Sequence, residues 1–320
     1  MPEELEQIGL VDIEVLHHQF DVDSVIRYVH EGIVPIDRTY PLDLYRKYEA
    51  QRWNISELDF TQDKDDWMNL TDAERDTFLR VATGFHHGER QVAVDIVPLL
   101  MAAPRDEHKM YLTSQLEDET RHTLFFDRFY REVVGLAATD IMDTLDQSYR
   151  YMSETFIGSF GYLAYIADQI RRHPDNRKLL ASGITNYHLW IEGVLALSVA
   201  KITLNFCKSQ HKLPGFHKGF LATTRDESRH VVFGMKLLKE LIADDPSLQS
   251  VVYETVITML TMGSTYTQII DYSPLLVERD DVRHIMMNNL RKKLNMVEIP
   301  IPQQLDKMIS AVQPETAAGG

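Results

Sequence analysis

Five residues, Asp-Glu-Thr-Arg-His at 118–122, return almost unchanged as Asp-Glu-Ser-Arg-His at 226–230, in otherwise dissimilar surroundings. Residues three apart on a helix share a face, so Glu119 with His122, and Glu227 with His230, can each present two polar groups in one direction. A carboxylate and an imidazole on one face make a poor core and an unremarkable surface. Two such pairs in one chain make better sense as metal ligands on facing helices.

The segments around the repeat read as helical. Thr71 and Glu74 stand in capping-box spacing and open a helix that runs to Pro104. Pro104 suits the first turn of the next helix, which reaches Gly135, a natural C-terminal stop. A third helix is expected over 140–172, with Gly158 and Gly161 weakening its middle. His-Pro-Asp-Asn at 173–176 breaks it, and further helices follow over 177–208, 217–243, 246–271 and 278–294. Strand alternation and Gly-rich hairpins are missing from the pattern. The reading is all-α: one domain over 1–320, a poorly determined leader at 1–45 and a flexible tail at 298–320.

Composition removes several classes of function. A net charge of −15 and a pI near 5.3 disfavour nucleic acid and anionic membrane as partners. The single cysteine, Cys207, allows no intrachain disulfide. The acidic start, Met-Pro-Glu-Glu-Leu-Glu, is unlike a secretory signal. Apolar runs read as shorter than the ~20 residues of a membrane span. A cytoplasmic protein is the expectation.

Two Glu-x-x-His pairs, with one glutamate from each of two further helices, form the dinuclear site of ferritin-like bundles. The extra glutamates should sit among apolar residues, where an unpaired charge is costly. Glu89, in Gly-Glu-Arg-Gln-Val-Ala-Val, and Glu192, in Leu-Trp-Ile-Glu-Gly-Val-Leu, both qualify. Two divalent cations would cancel four carboxylates that otherwise repel one another. Oxygen-rich sites with one histidine per metal suit iron and manganese better than zinc. A metal-bound imidazole normally donates its second N–H to a carboxylate. Asp226 is therefore paired with His122, and Asp118 with His230. His86 and His188 also face the site by helical spacing, as polar neighbours or as satisfied core histidines.

The order Glu89, Glu119-x-x-His122, Glu192, Glu227-x-x-His230 resembles the ribonucleotide reductase small-subunit superfamily. From Tyr40 to Gly234 the chain is most similar to its ligand-binding oxidases, through Gly-Glu-Arg-Gln-Val-Ala-Val-Asp-Ile (88–96), Tyr-Leu-Thr-Ser-Gln-Leu-Glu-Asp-Glu-Thr-Arg-His-Thr (111–123) and Asn-Tyr-His-Leu-Trp-Ile-Glu-Gly-Val-Leu (186–195). The resemblance implies one manganese with Glu89, Glu119 and His122 and one iron with Glu192, Glu227 and His230. Glu119 and Glu227 would bridge them. It also implies a long-chain fatty acid or similar hydrophobic ligand beside the metals, dioxygen as oxidant of aliphatic C–H bonds, a homodimer, and a Tyr187–Val92 ether. Val92 shares the face of Glu89. Tyr187, five residues before Glu192, would lie about 140° away from it on a regular helix, and a π-bulge would be needed to turn it inward.

Two other readings compete. Asp-Glu-x-Arg-His pairs also resemble those of bacterial multicomponent di-iron monooxygenases, a class that with the desaturases would hold two irons. The radical-generating reductase subunit is disfavoured, because Phe126 stands where its radical tyrosine would be and no tyrosine follows Tyr272. The electron donor is not legible.

Overall fold

In the computed structural model, residues 40–265 and 270–311 are described. The chain divides into two compact units, Met1–Thr39 and Tyr40–Gly320, and every described element lies in the second. The expected leader at 1–45 falls mostly outside the described residues. Its last part does not: helix α1 spans Tyr40–Gln51 and buries Leu44 and Tyr48.

After a 3₁₀ turn at Ile55–Glu57 come α2 (Thr61–Asn69), α3 (Asp72–Ala102) and α4 (Asp106–Phe129). The capping box at Thr71 and Glu74 closes as its spacing requires, with both reciprocal hydrogen bonds formed. Pro104 lies before α4 rather than inside it; Arg105 is the N-cap. A π turn at Tyr130–Val134 extends α4, and Gly135 ends it at φ +80°, a left-handed conformation that glycine adopts without a Cβ penalty.

The helix expected over 140–172 is two: α5 (Ile141–Ser148) and α6 (Glu154–Arg172), separated by a 3₁₀ turn at Tyr149–Tyr151. The break comes at Ser153, whose hydroxyl caps Phe156 N–H, and not at the glycines. Helix α7 runs continuously over Arg177–Gln210, with a π segment at Thr185–Ala196. Then follow α8 (Pro214–Asp244), α9 (Leu248–Thr265), α10 (Arg279–Val297) and α11 (Gln303–Ala311). Leu305 and Ile309 of α11 are buried, so the tail expected from 298 includes a packed helix over Gln303–Ala311. Arg291 pairs with Asp306 of that helix.

Among the described residues the architecture is an all-α, ferritin-like bundle. α3, α4, α7 and α8 form its core, and α6 packs on α3 and on the π segment of α7. α7 is the one described helix apolar and long enough to cross a membrane, against the expectation of shorter runs. Two thirds (67 %) of its most apolar window is buried inside the protein, which marks it as the central core helix of this bundle.

Candidate metal centre

Each core helix contributes to one buried cluster. α3 supplies Glu89, α4 supplies Glu119 and His122, α7 supplies Glu192, and α8 supplies Glu227 and His230; all six are buried. Ligand-type atoms of Glu89, Glu119, His122 and Glu227 lie within 4.8 Å of one another, and so do those of Glu119, Glu192, Glu227 and His230. The two sets share Glu119 and Glu227, as two cations side by side with bridging carboxylates require.

The imidazoles fix the polarity of the site. His122 turns Nδ1 inward, 3.2 Å from Glu227 and 3.3 Å from Glu89. His230 turns Nδ1 inward, 3.2 Å from Glu192 and 3.4 Å from Glu119. Their outward Nε2 atoms meet the two aspartates in the crossed pattern: His122 with Asp226 at 3.4 Å, His230 with Asp118 at 3.1 Å. An outer N–H held by a carboxylate leaves the inner nitrogen free to coordinate.

Electrostatics tests whether cations fit. Burial, reinforced by the charge of Glu227, pushes Glu192 up to about 8. Burial and Glu227 raise Glu89, and burial with Glu119 raises Glu227. Burial acts to neutralise His122 and His230 as well, but the surrounding carboxylates overcome it and raise both. Glu119 is held low despite burial, by the hydrogen bond from His122 and the charge of His230. Protons thus neutralise the cluster where cations would. Glu192 Oε2 has no hydrogen-bond partner, and Glu227 Oε1 has only the inward His122 Nδ1 at 3.2 Å beside it, an arrangement costly for buried oxygens unless a cation satisfies them. The donor set and its orphan oxygen fit two oxygen-preferring metals.

Tyr187 reaches the site through the π segment. There the hydrogen bonds close over five residues, as from Leu197 N–H to Glu192 C=O, so residues five apart come round to one side. Its hydroxyl donates to Glu119 Oε1 at 2.6 Å and accepts from Gln115 Nε2 at 2.9 Å. Val92 is buried on α3, and both side chains line one cavity of 470 Å³ with Glu89, Glu119, Glu192 and Glu227. The rest of that lining is mostly apolar, including Phe85, Phe156, Phe160 and Trp190.

The other two histidines serve differently. His188 Nε2 lies 3.2 Å from Gln115 Oε1, and Gln115 in turn donates to Glu192 Oε1 at 3.0 Å. Gly234 makes room for it: a Cβ there would stand 2.2 Å from His188 Cβ. His86 stacks on Tyr130 and its ring nitrogens have no hydrogen-bond partner. Burial lowers both imidazoles to about 3, so they stay neutral. Neither lines the cavity.

Sequence reasoning missed four residues. Arg121 Nη1 donates to Asp118 at 2.9 Å and reaches Asp226 at 3.5 Å; Arg229 donates to Asp118 at 2.6 Å and to Asp226 at 3.1 Å. These two arginines are the fourth letter of each repeat, and they neutralise the aspartates that orient the histidines. The repetition of Arg was their signal. Trp53 Nε1 donates to Asp226 at 2.7 Å, and Arg121 lies over its ring at 5.6 Å. Nothing local in the sequence marks Trp53 or Gln115.

Four helices carrying six such ligand-type side chains are the pattern of dinuclear carboxylate proteins. The family model for the ribonucleotide reductase small chain matches residues 32–288, and the chain belongs to that family of dinuclear-metal oxidoreductases. Solved structures similar to it include an R2-like ligand-binding oxidase from Sulfolobus acidocaldarius, at 26 % identity and TM-score 0.69, covering 82 % of this chain and 90 % of that one. An R2-like ligand-binding oxidase with an aerobically reconstituted Mn/Fe cofactor matches at 24 % identity and TM-score 0.66, over 80 % and 92 % of the two chains. A variant with an anaerobically reconstituted Mn/Fe cofactor matches at 23 % and 0.71, over 82 % and 95 %.

Proposed function

We propose that this chain is a dioxygen-activating oxidase that acts on C–H bonds of a bound hydrophobic, fatty-acid-like ligand. The observation that carries the reading is the largely apolar cavity of 470 Å³ ending on four buried glutamates. A storage or purely structural bundle has no use for such a space. Glu89, Glu119 and His122 would hold manganese, Glu192, Glu227 and His230 iron, with Glu119 and Glu227 between them. Bound there, the metals supply dioxygen activation and the oxidising power for C–H cleavage.

The chain's own groups do the remainder. Asp118 and Asp226 hold each imidazole with its inner nitrogen free, and Arg121 with Arg229 hydrogen-bonds both aspartates. Gln115 and Glu119 fix the Tyr187 hydroxyl, and Glu119 is placed to take its proton. Phe156, Phe160 and Trp190 exclude water from the cavity they line. The same reading includes a Tyr187–Val92 ether, formed as the phenol and the valine each give up one hydrogen to dioxygen. A homodimer belongs to it too, and the exposed stripe Val94, Val97 and Met101 on α3 offers an apolar face for one.

A radical-generating reductase subunit is the poorer fit, because Phe126 is buried among phenyl rings, 5.6 Å from Phe85 and 5.8 Å from Phe220. The test is aerobic and anaerobic loading with manganese and iron, followed by peptide mass spectrometry. An ether-linked pair of peptides carrying Val92 and Tyr187, seen only after aerobic loading, supports an oxidase. Unlinked peptides together with no dioxygen uptake would refute it.

A further inference from the structure

Tyr187 and His188 are neighbours in the π segment of α7, yet they reach the buried cluster by different routes. The Tyr187 hydroxyl hydrogen-bonds Glu119 directly, whereas His188 hydrogen-bonds Gln115, with Nε2 3.2 Å from Gln115 Oε1. The His188 ring is fully buried, with centroids 4.6 Å from Tyr187 and 5.8 Å from Phe233. Gly234 opens its slot, because a Cβ there would stand only 2.5 Å from His188 Cγ.

Gln115 is the hub between them. Its Nε2 lies 2.9 Å from the Tyr187 hydroxyl, 3.0 Å from Glu192 Oε1 and 3.3 Å from Glu119 Oε1, and its Oε1 has His188 as its one side-chain partner among the described residues. The two ends of a carboxamide are nearly the same shape, so its neighbours decide which end faces which way. A turned amide would set its carbonyl against the glutamates and offer the Tyr187 hydrogen a second acceptor. As it stands, the phenol oxygen receives an N–H from Gln115 and sends its own hydrogen to Glu119 Oε1 at 2.6 Å.

The imidazole holds the amide this way round. Burial lowers His188 to about 3, so the neutral ring carries a single N–H. Its Nδ1 has no partner, and a proton there would be a buried donor without an acceptor. On Nε2 the same proton meets the Gln115 carbonyl.

We propose that His188 is a positioning residue for Tyr187: its Nε2–H pins the Gln115 carbonyl, so that the amide N–H groups face Tyr187 and Glu192 and the phenol hydrogen points to Glu119 alone. One lone pair of the phenol oxygen then stays uncommitted, on the atom that the proposed ether would use. His188 acts only through Gln115, since it neither lines the cavity nor hydrogen-bonds a ligand-type side chain. The inference deepens the oxidase reading and rests on it for the ether, whereas the state of the ring is readable in metal-free protein.

The first measurement is ¹⁵N NMR of the full, metal-free chain labelled at histidine, with the His188 signals identified by their loss in His188→Gln. The expected ring is neutral at neutral pH with its proton on Nε2. A proton on Nδ1, or an even mixture of the two forms, overturns the proposal. The second follows ether formation by peptide mass spectrometry after dioxygen is added to chains loaded with Mn²⁺ and Fe²⁺. His188→Phe keeps the bulk of the ring and removes the donor; the rate falls roughly tenfold, the equivalent of one ordering hydrogen bond, with metal content unchanged by elemental analysis. His188→Gln, whose amide can bring an N–H to the same place, restores most of the rate. A Phe variant as fast as the unsubstituted chain, one that loses metal in step with rate, or a Gln variant as slow as the Phe variant overturns the positioning role. An unsubstituted chain that forms no ether refutes the oxidase reading of Tyr187, and the position of the ring proton then judges His188 by itself.

Discussion

Two layers of the same four helices obey opposite rules. In one, Phe78, Phe125, Phe126, Phe129, Phe216 and Phe220 pack ring against ring, with centroids as close as 4.7 Å between Phe129 and Phe216. One turn away on α4, His122 and Glu119 face an acid-lined space in which Glu192 Oε2 has no partner. The aromatic layer gains from burial and dispersion. The carboxylate layer gives up stability, since burying like charges costs unless something compensates. A fold that tolerates this conflict at one level, and resolves it at the next, marks the unresolved level as the working part.

Substitutions should separate the layers cleanly. The largest effect is expected at Glu119, shared by both ligand sets: Glu119→Ala should abolish paired metal loading and dioxygen uptake, read by elemental analysis and an oxygen electrode. Phe216→Ala supplies the contrast. It should cost about 3–5 kcal/mol in denaturant unfolding while the surviving folded protein still takes up metal. Arg229→Met should do both kinds of damage. It strips Asp118 of its closest partner, costing about 3–5 kcal/mol, and by loosening His230 it should weaken metal binding roughly 10–100-fold.

Acidity sharpens the contrast further. Glu192 is raised from 4.5 to about 8, and Glu89 and Glu227 are raised too. An unfolded chain loses these protons first, so the metal-free protein should lose stability as pH climbs from about 5 to about 8. The raised histidines act in the same direction above their ordinary value, because their stabilising protons are lost as pH rises. With metals bound the ionised carboxylates and neutral imidazoles are the favoured forms, and the slope should reverse. Thermal melts across pH, with and without metal, read the sign. The smallest stability effect is expected for Val92→Ala, about 1 kcal/mol, together with loss of the proposed ether to Tyr187.

The carboxylate layer was largely legible because helix periodicity places Glu-x-x-His pairs without reference to anything distant. Glu89 and Glu192 stood out as charges among apolar neighbours. Tyr187 was legible only through resemblance: a straight helix turns it away, and no local residue announces the π segment that turns it back. Arg121 and Arg229 were visible in the repeat, and each meets the aspartate of its own helix, yet each also reaches the aspartate of the opposite helix, which no local pattern shows. Gln115 and Trp53 act across long sequence separations, 77 residues to Glu192 and 173 to Asp226, which no local pattern encodes. The boundaries that missed, at 149–153 and beyond 298, are places where capping and tertiary packing decide.

The proposed oxidase depends on six side chains from four helices enclosing two cations. Anomalous diffraction at the manganese and iron edges, from aerobically loaded crystals, tests this directly. The prediction is one peak among Glu89, Glu119 and His122 and a second among Glu192, Glu227 and His230, with Glu119 and Glu227 between them. A cluster without peaks, or metal bound only elsewhere on the molecule, would contradict it.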